Sequence, residues 1–373
     1  MDKRQSDCIL STVIDDLRSS NLKLDERFFT RLGAQFFSIV DLLEGLYGKS
    51  AEFESAVSQL LWRLAHSYVA RPERMRLLDL ERERHPAWLQ DSRHAAYMAY
   101  LDRFAGDLSG LEERVSYLRE LGITIVHLMP LLKGPAGKSD GGYAVSNYQE
   151  VESRLGSIDD LRRVAGRLHD EGMLLELDLV VNHTSNEHEW ALKARAGEQQ
   201  YQDYYYMFDN RTIPDQFEQS MPEVFPETSP GNFSYVPELG KWVMTVFNDF
   251  QWDLNYTNCD VLVEMTEILF FLANCGADII RLDAVPFLWK RIGTSCQNQE
   301  ESHLILRIFH ACARVVAPGV ALVAEAIVEP KEIVRYFGEG EYAGRECDTA
   351  YHATMMVLLW DALATGNTRV LHQ

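Results

Sequence analysis

Two carboxylates at the ends of apolar runs are the most chemically suggestive residues of this chain. The run 277–285 carries Arg281 and Asp283 two positions apart, and a second apolar run, 320–324, leads directly into Glu325. Residues i and i+2 of a strand point to the same face, so Arg281 and Asp283 share one space, where buried charges need each other or a ligand. Two strands that each deliver a carboxylate at the C-terminal end provide the pair of groups that sugar chemistry uses.

Polar residues also follow two earlier apolar runs. A glycine-rich turn with Asp140 and Tyr143 follows one run, and Asp178, Asn182 and His183 lie on or after the next. Taken singly, each has an ordinary explanation, since an aspartate in such a turn is usually a turn residue and a lone histidine is often structural. Polar residues at four successive strand ends of one sheet favour a functional site instead.

The elements that must position these residues follow a repeating pattern. A helical segment, a glycine and a short apolar run recur in this order along the chain. The apolar runs are 97–101, 123–129, 174–181, 279–282 and 320–324, with a sixth near 347–351. This alternation is typical of a parallel βα sheet and also fits a doubly wound fold. The polar strand ends favour an α/β fold of the (β/α)8 TIM-barrel type, incomplete at about six of eight βα units.

The chain divides into three predicted parts. Residues 1–90 form a helical N-terminal domain without chemical signals, and the barrel takes 91–183 and 259–373. The segment 184–258 would be improbably long as a structureless loop. It therefore predicts a small domain inserted after the third strand.

Composition narrows the possible partners. The chain has 373 residues and a formal net charge of −20, which argues against nucleic acid. No stretch approaches the ~20 apolar residues of a membrane helix, and the N-terminus lacks the apolar core of a secretory signal. We therefore expect a cytoplasmic protein without a membrane partner. The sequence gives only weak support for a nucleotide-binding function, because no glycine-rich phosphate loop follows a strand.

Several motifs resemble the signature regions of the α-amylase family of glycoside hydrolases. The strand ends Asp-Leu-Val-Val-Asn-His (178–183) and Gly-Ala-Asp-Ile-Ile-Arg-Leu-Asp-Ala-Val (276–285), together with Gln-Trp-Asp-Leu-Asn (251–255) and Glu-Ala (325–326), occur in the family's order. Longer runs are similar to the amylosucrase subgroup, and these are 139–146, 182–190, 247–256 and 293–296. The likeness extends over essentially the whole chain, including the N-terminal helices.

The resemblance implies two catalytic roles. Asp283 would be the nucleophile that attacks the anomeric carbon of a bound glucosyl unit, and Glu325 would be the general acid and then the base. Glu325 would need to hold its proton near neutral pH, so its surroundings are expected to be less polar than those of Asp283. Arg281 would keep Asp283 ionised, and it could equally form a structural ion pair with Asp178.

The resemblance also implies substrate contacts. His183 would donate a hydrogen bond to a glucose hydroxyl, Tyr143 would stack beneath the sugar ring, and Phe247 would wall the same subsite. Asp140 resembles the acidic half of a salt bridge that closes the pocket floor in amylosucrases. Such a floor admits one terminal glucosyl unit and blocks attack within a starch chain.

The activity implied in this way is retaining glucosyl transfer from sucrose to α-glucan oligosaccharides with release of fructose. Sucrose hydrolase is an alternative, in which water accepts the glucosyl unit. A non-catalytic remnant that binds glucan or a partner chain is an alternative of another class. No cofactor and no metal is expected, although Asn182 matches a calcium ligand in many α-amylases.

Two further expectations concern the aromatic residues and the C-terminus. Most aromatic residues between 204 and 252 are expected to pack the inserted domain, with a sugar platform as the less favoured reading. The sequence stops before the family's third carboxylate, and 358–364 forms an apolar helix with little beyond it to pack against. We therefore expect the polypeptide alone to have little or no activity.

Overall fold

The computed structural model describes residues 3–51 and 53–372. Four helices precede the first strand, and they are α1 (Lys3–Ser19), α2 (Glu26–Tyr47), α3 (Phe53–Ala70) and α4 (Glu73–Arg84). The Asp25 side chain accepts a hydrogen bond from the backbone N–H of Phe28 and so caps α2, as its position before an amphipathic segment predicts.

The central sheet has six strands in chain order, and every neighbouring pair is parallel. The strands are β1 (Ala96–Ala99), β2 (Ile125–Leu128), β3 (Leu174–Val180), β4 (Ile279–Asp283), β5 (Ala321–Ala324) and β6 (Thr349–Ala350). The helices between and after them are α5 (Leu108–Glu120), α6 (Ile158–Asp170), α7 (Cys259–Asn274), α8 (Glu300–Val316) and α9 (Ala353–Thr365). This partial (β/α) barrel confirms the predicted fold class.

Contacts across the inside of the sheet show that it is curled. The Tyr351 hydroxyl, just after β6, donates to Glu176 Oε1 of β3 at 3.2 Å and lies 3.4 Å from His127 Nδ1 of β2. A flat sheet would hold β6 three strands away from β3, beyond the reach of a side chain. The inner faces of the strands therefore surround a common interior.

Alternation along each strand separates two environments. In β3, Leu175, Leu177 and Leu179 are buried against the helical layer, whereas Glu176 and Asp178 face the interior. Burying such a leucine contributes about 1.5–3 kcal/mol, which fixes the face that each side chain takes.

The N-terminal end of the interior is an apolar plug. It contains Ile125, Ile279, Ala321 and Val323, and it is covered by Trp88 and Leu89 among others. The charged residues of the interior begin beside this plug, where Glu176 is in register with Ile279, and continue toward the C-terminal ends of the strands.

The N-terminal helices share one hydrophobic core with the barrel. α2 packs along α8 and α3 along α7, and the Tyr47 hydroxyl donates to the carbonyl of Tyr256 at 2.8 Å. Arg63 of α3 pairs with Glu264 at 3.0 Å and with Glu267 of α7. The boundary at residue 90 stays a prediction, since packing here is continuous.

Between β3 and α7 the chain forms small sheets and short helices. His183–Ser185 pairs antiparallel with Gln251–Asp253, and a three-stranded sheet joins Met207–Phe208, Lys241–Met244 and Phe233–Val236. Regular structure thus fills the segment that is too long for a loop, although its limits as a domain stay a prediction.

Helix α9 carries many exposed apolar side chains. Among its described residues, Ala362 is the buried one, and Trp360 and Leu363 are 68% and 77% exposed. The prediction of an apolar helix with little packing is confirmed. No helix in the described parts of the chain has both the length and the apolarity to cross a bilayer.

Candidate active site

The predicted carboxylates lie at the same rim of the curled sheet. Leu282 of β4 pairs with Ala324 of β5, so Asp283 and Glu325 follow at the same level on adjacent strands. Both side chains line a cavity of about 530 Å³ at the C-terminal end of the barrel. The order of residues within two neighbouring strands is enough to bring these groups together.

Arg281 is the centre of the ionic contacts. It pairs closely with Asp178, with which it is in register across β3 and β4, and its Nη1 donates to Asp283 Oδ1 at 2.9 Å. Its Nη2 lies 3.8 Å from Glu325 Oε1. One guanidinium therefore contacts three carboxylates, among them Asp178 and Asp283, and the role of Arg281 in keeping Asp283 ionised stays a prediction.

Asp283 is the carboxylate most affected by this crowding. Burial raises the pKa of Asp283 to about 7. The charge of Arg281 lowers this pKa, and the negative charges of Glu325 and Asp178 oppose that effect. Its side chain is 12% exposed. The group is thus poised to change charge near neutral pH.

Glu325 accepts a hydrogen bond from the backbone N–H of Ala284, the residue after Asp283, at 3.1 Å. Ala284 adopts a left-handed backbone with φ of 63°, which is costly for a residue with a Cβ. The turn aims this N–H at Glu325, and no sequence signal identified Ala284 in this role.

The expectation that Glu325 lies in less polar surroundings than Asp283 stays a prediction. The side chain of Glu325 is 18% exposed and that of Asp283 12%. Glu325 lies one residue beyond the end of β5, whereas Asp283 is the last residue of β4.

The remaining predicted contacts form the opposite side of the cavity. His183 is buried, and its Nε2 lies 3.2 Å from the Tyr143 carbonyl and 3.0 Å from Gln251 Nε2. Burial lowers the pKa of His183 to about 4, which leaves the ring neutral at pH 7. Asp140 accepts from Gln251 Nε2 at 3.1 Å, so Gln251 joins residues far apart in sequence.

Aromatic rings form one wall. The Phe247 ring lies 5.0 Å from His183, 5.1 Å from Phe287 and 6.1 Å from Phe225, measured between centroids. Phe287 was not predicted as a site residue. The turn after β4 places it on the cavity wall. All seven predicted site residues line this one cavity, and they are Asp140, Tyr143, His183, Phe247, Arg281, Asp283 and Glu325.

Most other aromatic residues of the segment 184–258 are packed inside it, as expected. The buried ones are Trp190, Tyr204, Tyr205, Tyr206, Phe217, Phe233, Trp252 and Tyr256. Phe225, like Phe247, lines the cavity instead.

Asn182, the residue that resembles a calcium ligand, directs its oxygen to a lysine. Its Oδ1 accepts from Lys290 Nζ at 2.9 Å, and the same ammonium lies 2.7 Å from Asp253 Oδ1. The side chains of Lys290 and Asp253 are fully buried. A fixed positive charge therefore already neutralises these oxygens.

A polar layer below the catalytic rim also escaped prediction. His127 Nε2 lies 3.0 Å from Asp178 Oδ2, and Glu176 contacts His127 and Tyr351. Alternation within β2 and β3 puts His127 and Glu176 on the inner face, but their partners come from strands distant in sequence. This layer supports Asp178 and, through it, Arg281.

A curled parallel sheet with two carboxylates at its C-terminal rim defines a class of barrel enzymes that act on glycosidic bonds. The chain belongs to the α-amylase family of glycoside hydrolases, since the model of the α-amylase catalytic domain matches residues 82–361.

Individual relatives act on several sugars. The trehalose synthase/amylase TreS of Mycolicibacterium smegmatis is 34% identical over 259 residues, which are 69% of this chain and 43% of that protein. The glucosylglycerate phosphorylase of Escherichia coli is 29% identical and covers 89% of this chain and 56% of its own length. This chain spans about half the length of such relatives.

Among solved structures, a variant of trehalulose synthase MutB in complex with its substrate sucrose matches with a TM-score of 0.61. It is 25% identical and covers 71% of this chain and 49% of that one. The family is thus established. The particular sugar and acceptor are a separate question.

Proposed function

We propose that this chain carries the nucleophile and the acid/base of an enzyme that transfers a glucosyl unit from sucrose to an α-glucan with retention. In the first step an Asp283 oxygen bonds to the anomeric carbon, the glycosidic bond breaks, and Glu325 gives its proton to the leaving fructosyl oxygen. In the second step an acceptor hydroxyl attacks that carbon, Glu325 takes the hydroxyl proton, and the ester to Asp283 breaks.

The observation that carries the proposal is the shared contact of both carboxylates with Arg281. Asp283 ends β4, Glu325 follows the neighbouring strand β5, and the two contact the guanidinium of Arg281 at 2.9 and 3.8 Å. Retaining enzymes hold two carboxyl groups about 5–5.5 Å apart, so that one attacks a glucosyl unit and the other protonates the leaving oxygen.

The cavity walls support a single terminal sugar as the donor. Tyr143 and Phe247 offer ring faces, and His183 and Asp140 offer polar atoms on the same side. Aromatic faces pack against the apolar faces of sugars while polar groups bind hydroxyls. We assign these four residues to the glucosyl subsite.

A second candidate is a disaccharide-converting activity like that of trehalose synthase. The relatives of highest similarity reported above favour it, since TreS matches at 34% identity. The two candidates share the first step and differ in the acceptor. Sucrose hydrolase and a non-catalytic sugar-binding chain remain as further outcomes.

The first experiment tests the roles of the carboxylates. Because the chain alone is expected to have little activity, it is incubated at high concentration with α-glucosyl fluoride, whose leaving group needs no protonation, and fluoride release is followed. Asp283→Asn should lower the rate by roughly 10³-fold or more, whereas Glu325→Gln should slow fluoride release far less than it slows sucrose cleavage. Equal sensitivity of both donors to Glu325→Gln would contradict the assignment of Glu325 as the acid.

The second experiment identifies the acceptor. Sucrose is supplied alone and with maltoheptaose, and the products are separated by chromatography. Fructose with longer glucans supports the main proposal, free glucose with fructose supports hydrolysis, and a new disaccharide supports the trehalose-synthase-like activity. Calorimetric sugar binding without any turnover of sucrose or glucosyl fluoride would support the non-catalytic chain.

A further inference from the structure

A second cavity, of about 290 Å³, lies between helices α2 and α8, within the outer layer of the fold. Arg307, His310, Ala311 and Arg314 recur at the spacing of one helical face, so α8 presents them together. From α2 come Ala34, Gln35, Ser38 and Leu42, and Tyr342 and Arg345 complete the lining. Small side chains on the facing helices leave room that larger ones would fill.

The lining is strongly basic in an acidic protein. Three arginines and one histidine line this cavity, and the lining contains no aspartate or glutamate, although the chain has a net charge of −20. Concentrating cations in a concave site raises the local potential for anions. Random distribution of charges in so acidic a chain would favour acidic residues here.

Some of these groups are already satisfied, and others are not. Arg307 pairs with Glu346 at 3.1 Å and Glu300 at 3.0 Å, and its role is structural. The Arg345 side chain is exposed to solvent, and within residues 3–51 and 53–372 it makes no hydrogen bond or ion pair. Arg314 donates to the carbonyls of Pro318 and Val320 and pairs with Asp348 at 3.5 Å, yet its Nε is buried without a partner.

His310 is the second, independent sign of a ligand. It is 8% exposed, and within the described part of the chain no hydrogen bond reaches its ring nitrogens. Burial lowers the pKa of His310 to about 3, and the charges of Arg314 and Arg345 act in the same direction. The ring lines the cavity, so its nitrogens are open to a hydrogen bond from water or from a ligand that replaces water there.

We propose that this cavity binds a small oxyanion, namely a phosphate group, either free or carried by a sugar. Arg345 would bind the phosphate oxygens through its planar guanidinium, and Arg314 would add charge from α8. His310 would contribute a hydrogen bond from its ring. The site involves none of the residues assigned to glucosyl transfer, so it stands or falls independently of the proposed function.

Phosphate binding can be measured on the whole chain by isothermal titration calorimetry at low ionic strength. The probes are inorganic phosphate and glucose 6-phosphate, each with and without excess sucrose. We expect binding that sucrose does not displace and that Arg345→Gln weakens by about tenfold or more, because a charge-assisted contact is lost. Tighter binding of glucose 6-phosphate than of phosphate would identify a sugar phosphate as the ligand class, and the reverse would identify the free anion.

The matched control is Arg114→Gln, on the exposed surface of α5. It removes the same charge, so a simple net-charge effect would weaken binding equally in both variants and would overturn the proposal. Ser38→Leu fills the cavity without removing a charge and should also abolish binding, provided that circular dichroism shows an unchanged fold. Absence of phosphate binding in the unmodified chain, or displacement by sucrose, would refute the site.

Discussion

Two aspartates bracket strand β4, and they have opposite electrostatic surroundings. Asp278 precedes the strand at the N-terminal end of the barrel, and Asp283 ends it at the catalytic rim. Both are buried, with 0% and 8% of the whole residue exposed. They share the residue type and a buried position, so the contrast shows the effect of their partners.

Asp278 has a full set of donors. Arg82 of α4 donates to its Oδ1 at 2.6 Å, and His169 and the backbone N–H of Leu175 lie 2.8 and 2.7 Å from its Oδ2. Burial alone would raise the pKa of Asp278, but the His169 hydrogen bond and the Arg82 charge hold it below its ordinary value. This carboxylate fixes the N-terminal helices to the base of the barrel.

Asp283 shares its cation with two other carboxylates. Arg281 must serve Asp178 and Glu325 as well, and burial together with the negative charges of Glu325 and Asp178 raises the pKa of Asp283 to about 7. The comparison teaches that a buried carboxylate becomes a structural ion or a reactive group according to the balance of acids and cations around it. The proposed catalytic residue therefore lies at the end of β4 where carboxylates outnumber cations.

The largest expected effect on the free energy of unfolding is at Asp278, where the buried charges are fully paired. Asp278→Ala should lower the free energy of unfolding by about 3–5 kcal/mol, because it leaves the buried charge of Arg82 without its carboxylate. Urea denaturation followed by tryptophan fluorescence measures this change. A loss no larger than that of an exposed substitution such as Arg114→Gln would mean that Asp278 is not the structural anchor.

A second test asks whether the catalytic end also contains structural charge. Lys290→Met should cost about 3 kcal/mol, since Asp253 is fully buried beside the lysine ammonium. The double variant Lys290→Met/Asp253→Asn should recover part of the loss. Thermal unfolding of the two variants distinguishes a balanced pair from independent contributions, which would simply add.

The substitution Asp283→Asn should change the free energy of unfolding in the opposite direction. Removing a carboxylate from a site with excess negative charge should raise the free energy of unfolding at pH 8 by about 0.5–2 kcal/mol, as is common when a site is relieved of functional strain. Urea denaturation of the variant and the unmodified chain gives the difference. Destabilisation by Asp283→Asn would show that the contact with Arg281 outweighs the repulsion from Glu325.

The pH dependence should separate the two aspartates. The Asp283 pKa is raised from about 3.9 in the unfolded chain to about 7, so the folded state holds more protons in between, and its stability contribution is lost as pH rises through this window. The advantage of Asp283→Asn should therefore be small near pH 4, grow up to pH 7 and then level off. Constant advantage across this range would contradict the raised pKa.

Much of the site was predictable because it is local in sequence. The i, i+2 spacing puts Arg281 and Asp283 on one face of β4. The apolar run before Glu325 forms β5, which ends at the same rim as β4. The curl of the sheet and the Tyr351 contact with Glu176 were not predictable in this way, since they join strands far apart in the chain.

The sequence by itself determined which residues form the strands, which side chains face inward and which carboxylates end β4 and β5, because strand alternation and helix stops are properties of neighbouring residues. Only the tertiary structure decided the electrostatic character of those groups. Arg281 is shared by three acids, Lys290 occupies the oxygens of Asn182 and Asp253, and Glu325 is more exposed than Asp283. A pKa depends on distances to charges from other strands, and those distances exist only after the chain has folded.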